Sequence, residues 1–351
     1  MMLHKKTFVM FLIVIGLLIG FRVDKSFAGQ VNQKYWPTKE WRTSTPEAQD
    51  MDSTQLGKMN NYIENKCPLV RSVLVIRKGY IVFEKYYIGD ANSTHHIYSG
   101  TKSIISALIG IALDKGYIKS IDQKMVTFFP EYALKITDSR LNKITIRHLL
   151  TMSAGFATSL WKGPPDMKTS FTQPIITEPG SQAAYNSGAS HLLSGIISKS
   201  TEMSTLEFGD KHLFKPLGIQ KPVWRKGVDG YTRGGYGLYM RSIDMAKIGY
   251  LYLQNGVWDN NQIIPAKWIK ESTQKHSTMS IFQKEYSYGY QWWITSPKGH
   301  SCFSAVGVGG QYIEVIPDLD IVIVATSNPG SYAQPKHYDL PGSFIIPSVL
   351  K

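Results

Sequence analysis

Strand-forming sequence at both ends of the chain, with helical sequence between them, restricts the fold most. Ser72–Arg77 and Tyr80–Tyr87 are rich in Val, Ile and Tyr and are joined by Lys78-Gly79, which predicts an antiparallel hairpin. Far along the chain, Gln311–Ile316 alternates, Pro317–Asp320 turns, and Ile321–Thr326 is a continuous apolar run, as a strand buried on both faces requires. Between these ends lie helical segments: Thr145–Met152, closed by Ser153-Ala154-Gly155, then Ser187–Lys199 and Ser242–Gln254. Met51–Lys66 also carries Leu56, Met59, Tyr62 and Ile63 at helical spacing. The expected architecture is an α/β (α+β) fold, with one antiparallel sheet from both chain ends flanked by helices, and a mostly helical second lobe. The sheet lobe is expected over 51–95 and 285–350 and the helical lobe over 96–284. A last helix is expected near the end, in a segment interrupted by Pro335, Pro341 and Pro347.

Residues 1–28 read as a leader. His4-Lys5-Lys6 is basic, Thr7–Phe21 is apolar, and Ser26-Phe27-Ala28 offers small residues before Gly29, which together describe a signal peptide and an exported product, periplasmic or extracellular. The rival reading is an uncleaved anchor, although the apolar stretch is shorter than the roughly 20 residues a span needs. Membrane contact is expected only in that case. Residues 29–50, with Pro37 and Pro46, read as an extended lead-in to a folded domain over 51–350. The net charge of +13 is scattered, with no dense Lys/Arg run, so a nucleic-acid partner is not expected. Cys67 and Cys302 are the two cysteines; an exported chain can join them, and the sequence leaves that open.

The chemistry begins at Ser99-Gly100-Thr101-Lys102, which opens an apolar run through Leu113. A serine and a lysine three apart share one helix face. A lysine buried there can lose its proton and act as base for the hydroxyl. The alternative role for Ser99 is a helix N-cap. Ser272 and Lys275 repeat the spacing, but among Lys267, Lys270, Glu271 and His276 they read as a solvated face. Tyr185-Asn186-Ser187 follows the turn Glu178-Pro179-Gly180; among the twenty tyrosines only Tyr185 has Ser or Asn two positions on. Its phenol, near an ammonium, can ionise and relay protons. Ala305-Val306-Gly307-Val308-Gly309-Gly310 precedes an alternating strand, where Gly307 and Gly309 let a backbone approach a substrate and aim an N–H at an oxyanion. The chain has no HExxH and no GxSxG motif. His95-His96 lacks a third ligand and reads as a surface pair. No metal and no organic cofactor are implied.

In this order and spacing, these elements resemble the penicillin-recognising serine hydrolases. The likeness is to the class C β-lactamase-like branch, which holds D-alanyl-D-alanine peptidases, esterases and nylon-oligomer hydrolases. Ile146–Gly155, Gly234–Leu238 with Asp244–Lys247, Gln262–Pro265 and Tyr288–Trp293 resemble that branch too. The resemblance implies a β-lactamase/DD-peptidase-like fold, Ser99 as acylated nucleophile and Lys102 as its base. It implies that Tyr185 matches the tyrosine of the Tyr-x-Asn motif, with Ser187 in place of the final Asn. It implies an oxyanion hole from the N–H groups of Ser99 and Val308. The family's Lys/His-Thr-Gly element falls on Ala305-Val306-Gly307, without its cationic or imidazole side chain. The implied activity is hydrolysis of an ester or amide through an acyl-serine. The substrate would be a small or peptide-like molecule, or a cell-wall polymer. The alternatives are a D-alanyl-D-alanine peptidase or β-lactamase, and a relative that binds cell-wall polymers without turnover.

Overall fold

Apolar residues on alternate sides of each central strand build two cores, one on each face of a sheet. The computed structural model describes residues 35–133, 137–158, 166–220, 222–281, 284–329 and 339–350; the expected leader, residues 1–28, lies outside them. The strands are β1 (Arg42–Thr43), β2 (Val70–Arg77), β3 (Tyr80–Tyr86), β4 (Thr94–His96), β5 (Val223–Trp224), β6 (Leu238–Arg241), β7 (Val257–Trp258), β8 (Asn261–Gln262), β9 (Ser277–Ile281), β10 (Lys284–Tyr288), β11 (Trp293–Thr295), β12 (Cys302–Gly307), β13 (Gln311–Ile316) and β14 (Ile321–Ser327). Nine of them form one sheet in the order β1-β3-β2-β14-β13-β12-β11-β10-β9. The expected hairpin is β2–β3, and β14 joins the two chain ends by pairing antiparallel with β2, Val324 opposite Leu74.

Along β14, Val322 and Val324 enter the core shared with the long helices, while Ile321, Ile323 and Ala325 enter the other with Val73 and Val75. Both faces are therefore covered, which accounts for the unbroken apolar run.

The helices are α1 (Ser53–Lys66), α2 (Thr101–Asp114), α3 (Pro130–Ala133), α4 (Ile146–Leu150), α5 (Met167–Phe171), α6 (Ser187–Thr201), α7 (Thr205–Gly209), α8 (Ser242–Leu253) and α9 (Ala266–Ser272). Helix α8 lies on β13, β14 and β2. It comes close because Gly249 has no side chain: a Cβ there would lie 2.4 Å from Val322 Cγ1. Helix α1 covers the other face with Leu56, Met59 and Ile63.

Several expectations need correcting. The sheet is mixed, because β1, from the presumed extended lead-in, pairs parallel with β3. Strand β9 belongs to the sheet although its residues fall within the expected helical lobe. The end of the chain forms short turns, Pro341–Ile345 and Ile346–Ser348, instead of a regular α-helix; Pro335 falls outside the described residues. Cys67 and Cys302, whose pairing the sequence left open, are both buried and form no disulfide. His95 and His96 are not a surface pair: β4 pairs with β6, which leaves His95 5% exposed and His96 half-buried. Among the described residues no helix is long and apolar enough to cross a membrane, and no cluster of His, Cys, Asp and Glu is arranged to hold a metal.

Candidate active site

Ser99 sits in a tight 3₁₀ turn, Tyr98–Gly100, immediately before α2. Gly100 occupies the cap position of α2, with no side-chain cap hydrogen bond, so Ser99 is not an N-cap. The backbone of Tyr98 is left-handed, φ 46°, a conformation non-glycine residues seldom adopt and that recurs at functional sites.

One turn on, Lys102 is 1% exposed. Its Nζ donates to Ser99 Oγ at 3.2 Å, to Ser187 Oγ at 3.2 Å and to the Gly235 carbonyl at 2.7 Å. No carboxylate lies within ion-pair distance of it among the described residues. Burial away from water and from counter-charge pushes its pKa from the ordinary 10.5 down to about 7. The three acceptors partly offset that loss of hydration. A lysine at this midpoint offers a substantial neutral fraction near pH 7, and the neutral amine has a lone pair for the Ser99 proton.

The other two acceptors come from one local arrangement. Ser187 is the first residue of α6, whose N-cap is Asn186 (Oδ1 accepts from the Ala189 N–H at 2.9 Å). Asn186 Nδ2 in turn donates to the Ala157 carbonyl and to Gln173 Oε1, both at 2.7 Å. The Gly234-Gly235 segment lies against this helix start. A Cβ on Gly234 would lie 2.1 Å from the Ser190 carbonyl oxygen, and one on Gly235 would lie 2.9 Å from that of Ser187. Only glycines allow this approach, which brings the Gly235 carbonyl to Lys102. His191, fully buried, supports it: its Nδ1 accepts from the Gly234 N–H at 3.3 Å, and its Nε2 faces Asp229 Oδ2 at 3.6 Å.

Tyr185 is buried, and its hydroxyl lies within hydrogen-bonding reach of the Ser99 hydroxyl. Its ring stacks on Trp293 at 5.9 Å and lies 4.8 Å from Lys102 Nζ. The expectation that this phenol ionises is corrected here. The ammonium faces the ring, not the oxygen, and burial drives the phenol pKa well above its ordinary value. Burial therefore favours the neutral form of this hydroxyl.

Strand β12 closes the site, because its end abuts the turn that carries Ser99: a Cβ on Gly307 would lie 2.1 Å from the Ile97 carbonyl oxygen. Gly309, at φ +82°, packs against Pro329. Packing thus demands both glycines, whatever a substrate adds. The Val308 N–H, between them, takes no acceptor among the described residues. Ala305 is buried and pairs with Ile313, so no cation projects from that position.

Sequence reasoning brought together Ser99, Lys102, Tyr185 and Ser187. It did not anticipate the Gly235 carbonyl, the Asp229–His191 support, or Gln291. Gln291 is 1% exposed and sits at φ 63°. Its Nε2 donates to the Leu149 and Leu150 carbonyls at 3.0 Å. Its Oε1 accepts from Ser190 Oγ, and its carbonyl accepts from Ser103 Oγ, both at 2.7 Å. One residue, through its side chain and its carbonyl, thus ties α2, α4 and α6 together behind the site. The only cue in the sequence was the lone amide in the aromatic run Tyr288–Trp293. Ser272, expected on a solvated face, is buried and bonds the Ile269 carbonyl, and α9 ends there; Lys275 lies beyond the helix and is exposed.

A serine and an uncharged-capable lysine in contact, beside a buried tyrosine and the end of a sheet strand, define a serine hydrolase of the β-lactamase-like fold. The profile of the Beta-lactamase family matches residues 70–342, more than half of the chain, and the protein belongs to that family. It is 24% identical over 310 residues to the 6-aminohexanoate-dimer hydrolase of Paenarthrobacter ureafaciens, covering 80% of this chain and 77% of that one. Its fold is similar to that of the octameric penicillin-binding protein homologue from Pyrococcus abyssi, with TM-score 0.68 at 19% identity over 85% of this chain and 78% of that one. It is similar also to a family VIII carboxylesterase, with TM-score 0.67 at 13% identity over 88% and 99% of the two chains.

Proposed function

We propose that this enzyme hydrolyses an ester or amide bond of a small or peptide-like substrate through an acyl-Ser99 intermediate. The observation that carries the reading is Lys102: buried without a counter-ion, poised near neutrality, and 3.2 Å from Ser99 Oγ. In the first step Lys102 Nζ takes the Ser99 proton as Oγ attacks the carbonyl carbon. The developing oxyanion is met by the N–H groups of Ser99 and Val308. The proton returns through Lys102 or the neutral Tyr185 hydroxyl to the leaving oxygen or nitrogen, and the bond to the carbonyl breaks. Water then adds to the acyl ester, gives its proton to the same base, and releases the acid and free Ser99. Esters and amides suit the site better than penicillin-like substrates, because Ala305 offers no cation toward a substrate carboxylate from β12.

Ser99→Ala is expected to abolish aryl-ester turnover while leaving the far-ultraviolet circular dichroism unchanged; turnover at the parent rate would refute the assignment. The leader supports export, with cleavage after Ala28, and a mature protein in the culture medium or periplasm starting at Gly29 is the expected result. Retention of the intact leader in the membrane fraction would contradict it.

A further inference from the structure

Beside the reacting cluster stands an aromatic stack capped by two guanidinium groups, which the chemistry above does not use. Tyr98 directly precedes Ser99, and Tyr236 directly follows Gly235. His96 lies between them: its ring centroid is 3.9 Å from that of Tyr98, 6.4 Å from Tyr236 and 4.8 Å from Tyr239, the last with planes only 14° apart. The register of β4 and β5 on β6 lines up His96, Tyr239 and Val223. The Gly237 N–H donates to His96 Nε2 at 3.0 Å and fixes the imidazole. Burial, and then the charges of Arg225 and Arg233, push its pKa down to about 4, so the stack is uncharged at neutral pH.

The cations sit on this stack. Arg225 Cζ is 4.9 Å from the Tyr239 ring centroid, and Arg233 Cζ is 5.1 Å from that of Tyr236. Their backbones pair, Arg233 N donating to the Arg225 carbonyl at 3.0 Å. Among the described residues neither guanidinium has a carboxylate within ion-pair distance, and the buried Nε of Arg233 has no hydrogen-bond partner. Two guanidinium groups without a carboxylate partner among the described residues, one of them with a buried donor left without a hydrogen bond, carry an energetic cost that an anion would relieve. A guanidinium lying on an aromatic face presents its donor fork edgewise, the geometry that takes a carboxylate through two hydrogen bonds.

We infer that Arg225 and Arg233 form a carboxylate-binding subsite, and that the substrate's chain runs from the Ser99 site along Tyr98 and Tyr236 to reach it. The inference rests on the hydrolytic reading for its place in turnover, and on the aromatic–arginine geometry for the site itself. It makes the substrate class an ester or amide with an anionic end.

The test compares matched substrates that differ in one charge. In the acyl pair these are p-nitrophenyl hexanoate and the mono-p-nitrophenyl ester of adipic acid. In the leaving-group pair they are phenyl hexanoate and 4-carboxyphenyl hexanoate. In at least one pair the parent enzyme is expected to prefer the carboxylate member in kcat/KM. The Arg225→Ala/Arg233→Ala double variant is expected to lower that preference by about tenfold or more, in the range of lost charge-assisted hydrogen bonds, and the double Lys variant to keep part of it. No preference in either pair, or one that survives the double Ala variant, would overturn the subsite. Adipate binding to Ser99→Ala, measured by calorimetry, separates the two readings. If no ester is turned over but adipate still binds in an Arg225- and Arg233-dependent way, the hydrolytic reading falls and the subsite stands. If esters are turned over but neither the preference nor adipate binding depends on the arginines, the subsite falls and the hydrolytic reading stands.

Discussion

Lys102 has a thermodynamic signature as well as a kinetic one. In the unfolded chain its amine titrates near 10.5, and in the folded protein near 7. Between those values the unfolded chain binds more protons, so this group makes stability rise with pH from about 7 to about 10.5 and penalises the fold fully below 7. Lys102→Met is expected to remove that rise and to raise the melting temperature at pH 6, as a scan of melting temperature against pH would show. In the proposed mechanism the neutral amine is the active form, so kcat/KM should increase with pH through an apparent pKa of about 7. Lys102→Ala should cost at least about 100-fold in kcat/KM, the scale of a lost general base, and should abolish that acid limb. A limb unchanged in position in the variant would assign it to another group. The contact between the serine and the lysine was legible in the sequence, because a three-residue spacing at the start of an apolar helix puts both on one face and buries the lysine.

At the scale of elements, the fold was readable wherever one short segment carried its own pattern. The hairpin β2–β3, the strands β13 and β14, and the helices α1, α4, α6 and α8 lie close to where period and turn residues place them. What depended on distant partners was not readable. Strand β1 is two residues whose only reason to be extended is a parallel partner in β3. His95 and His96 look polar in isolation and are covered once β6 pairs with β4. Gly234 and Gly235 show that some backbone must come close, but not that the neighbour is the start of α6. Gln291 belongs to the same class, since its partners lie on three separate helices. Gln291→Ala strands the Ser190 hydroxyl in a dry interior and removes one of the hydrogen bonds to each of the Leu149 and Leu150 carbonyls, which keep backbone donors. An unsatisfied group of this kind costs about 1–3 kcal/mol and the lost hydrogen bonds add to it, so a loss of about 2–4 kcal/mol is expected in denaturant unfolding. A change below about 0.5 kcal/mol, the level of an ordinary surface substitution, would contradict the hub role.

At the scale of the whole molecule, two cores press on one sheet, and the site lies where the helical layer meets the end of β12. The packing carries the architecture without covalent help. Cys67 and Cys302 share the core under α1, both buried with no disulfide between them, and burial pushes Cys302 up to about 12. Reductant should therefore leave the melting temperature unchanged, and both thiols should resist a thiol-specific reagent until denaturant is added. A fall in melting temperature with reductant would reveal a disulfide and require a different arrangement of that core. The fold class itself was legible, because strands at both ends with helices between leave few ways to build one sheet. The mixed order of that sheet was not.

The most direct test of the central claim is intact mass after rapid quenching of the protein with an activated aryl ester, followed by peptide mapping. The account predicts a single added acyl group on the peptide containing Ser99, formed faster as pH rises through about 7 and absent in Ser99→Ala. An acyl group on any other residue, or turnover with no adduct at any quench time together with full activity of Ser99→Ala, would contradict it.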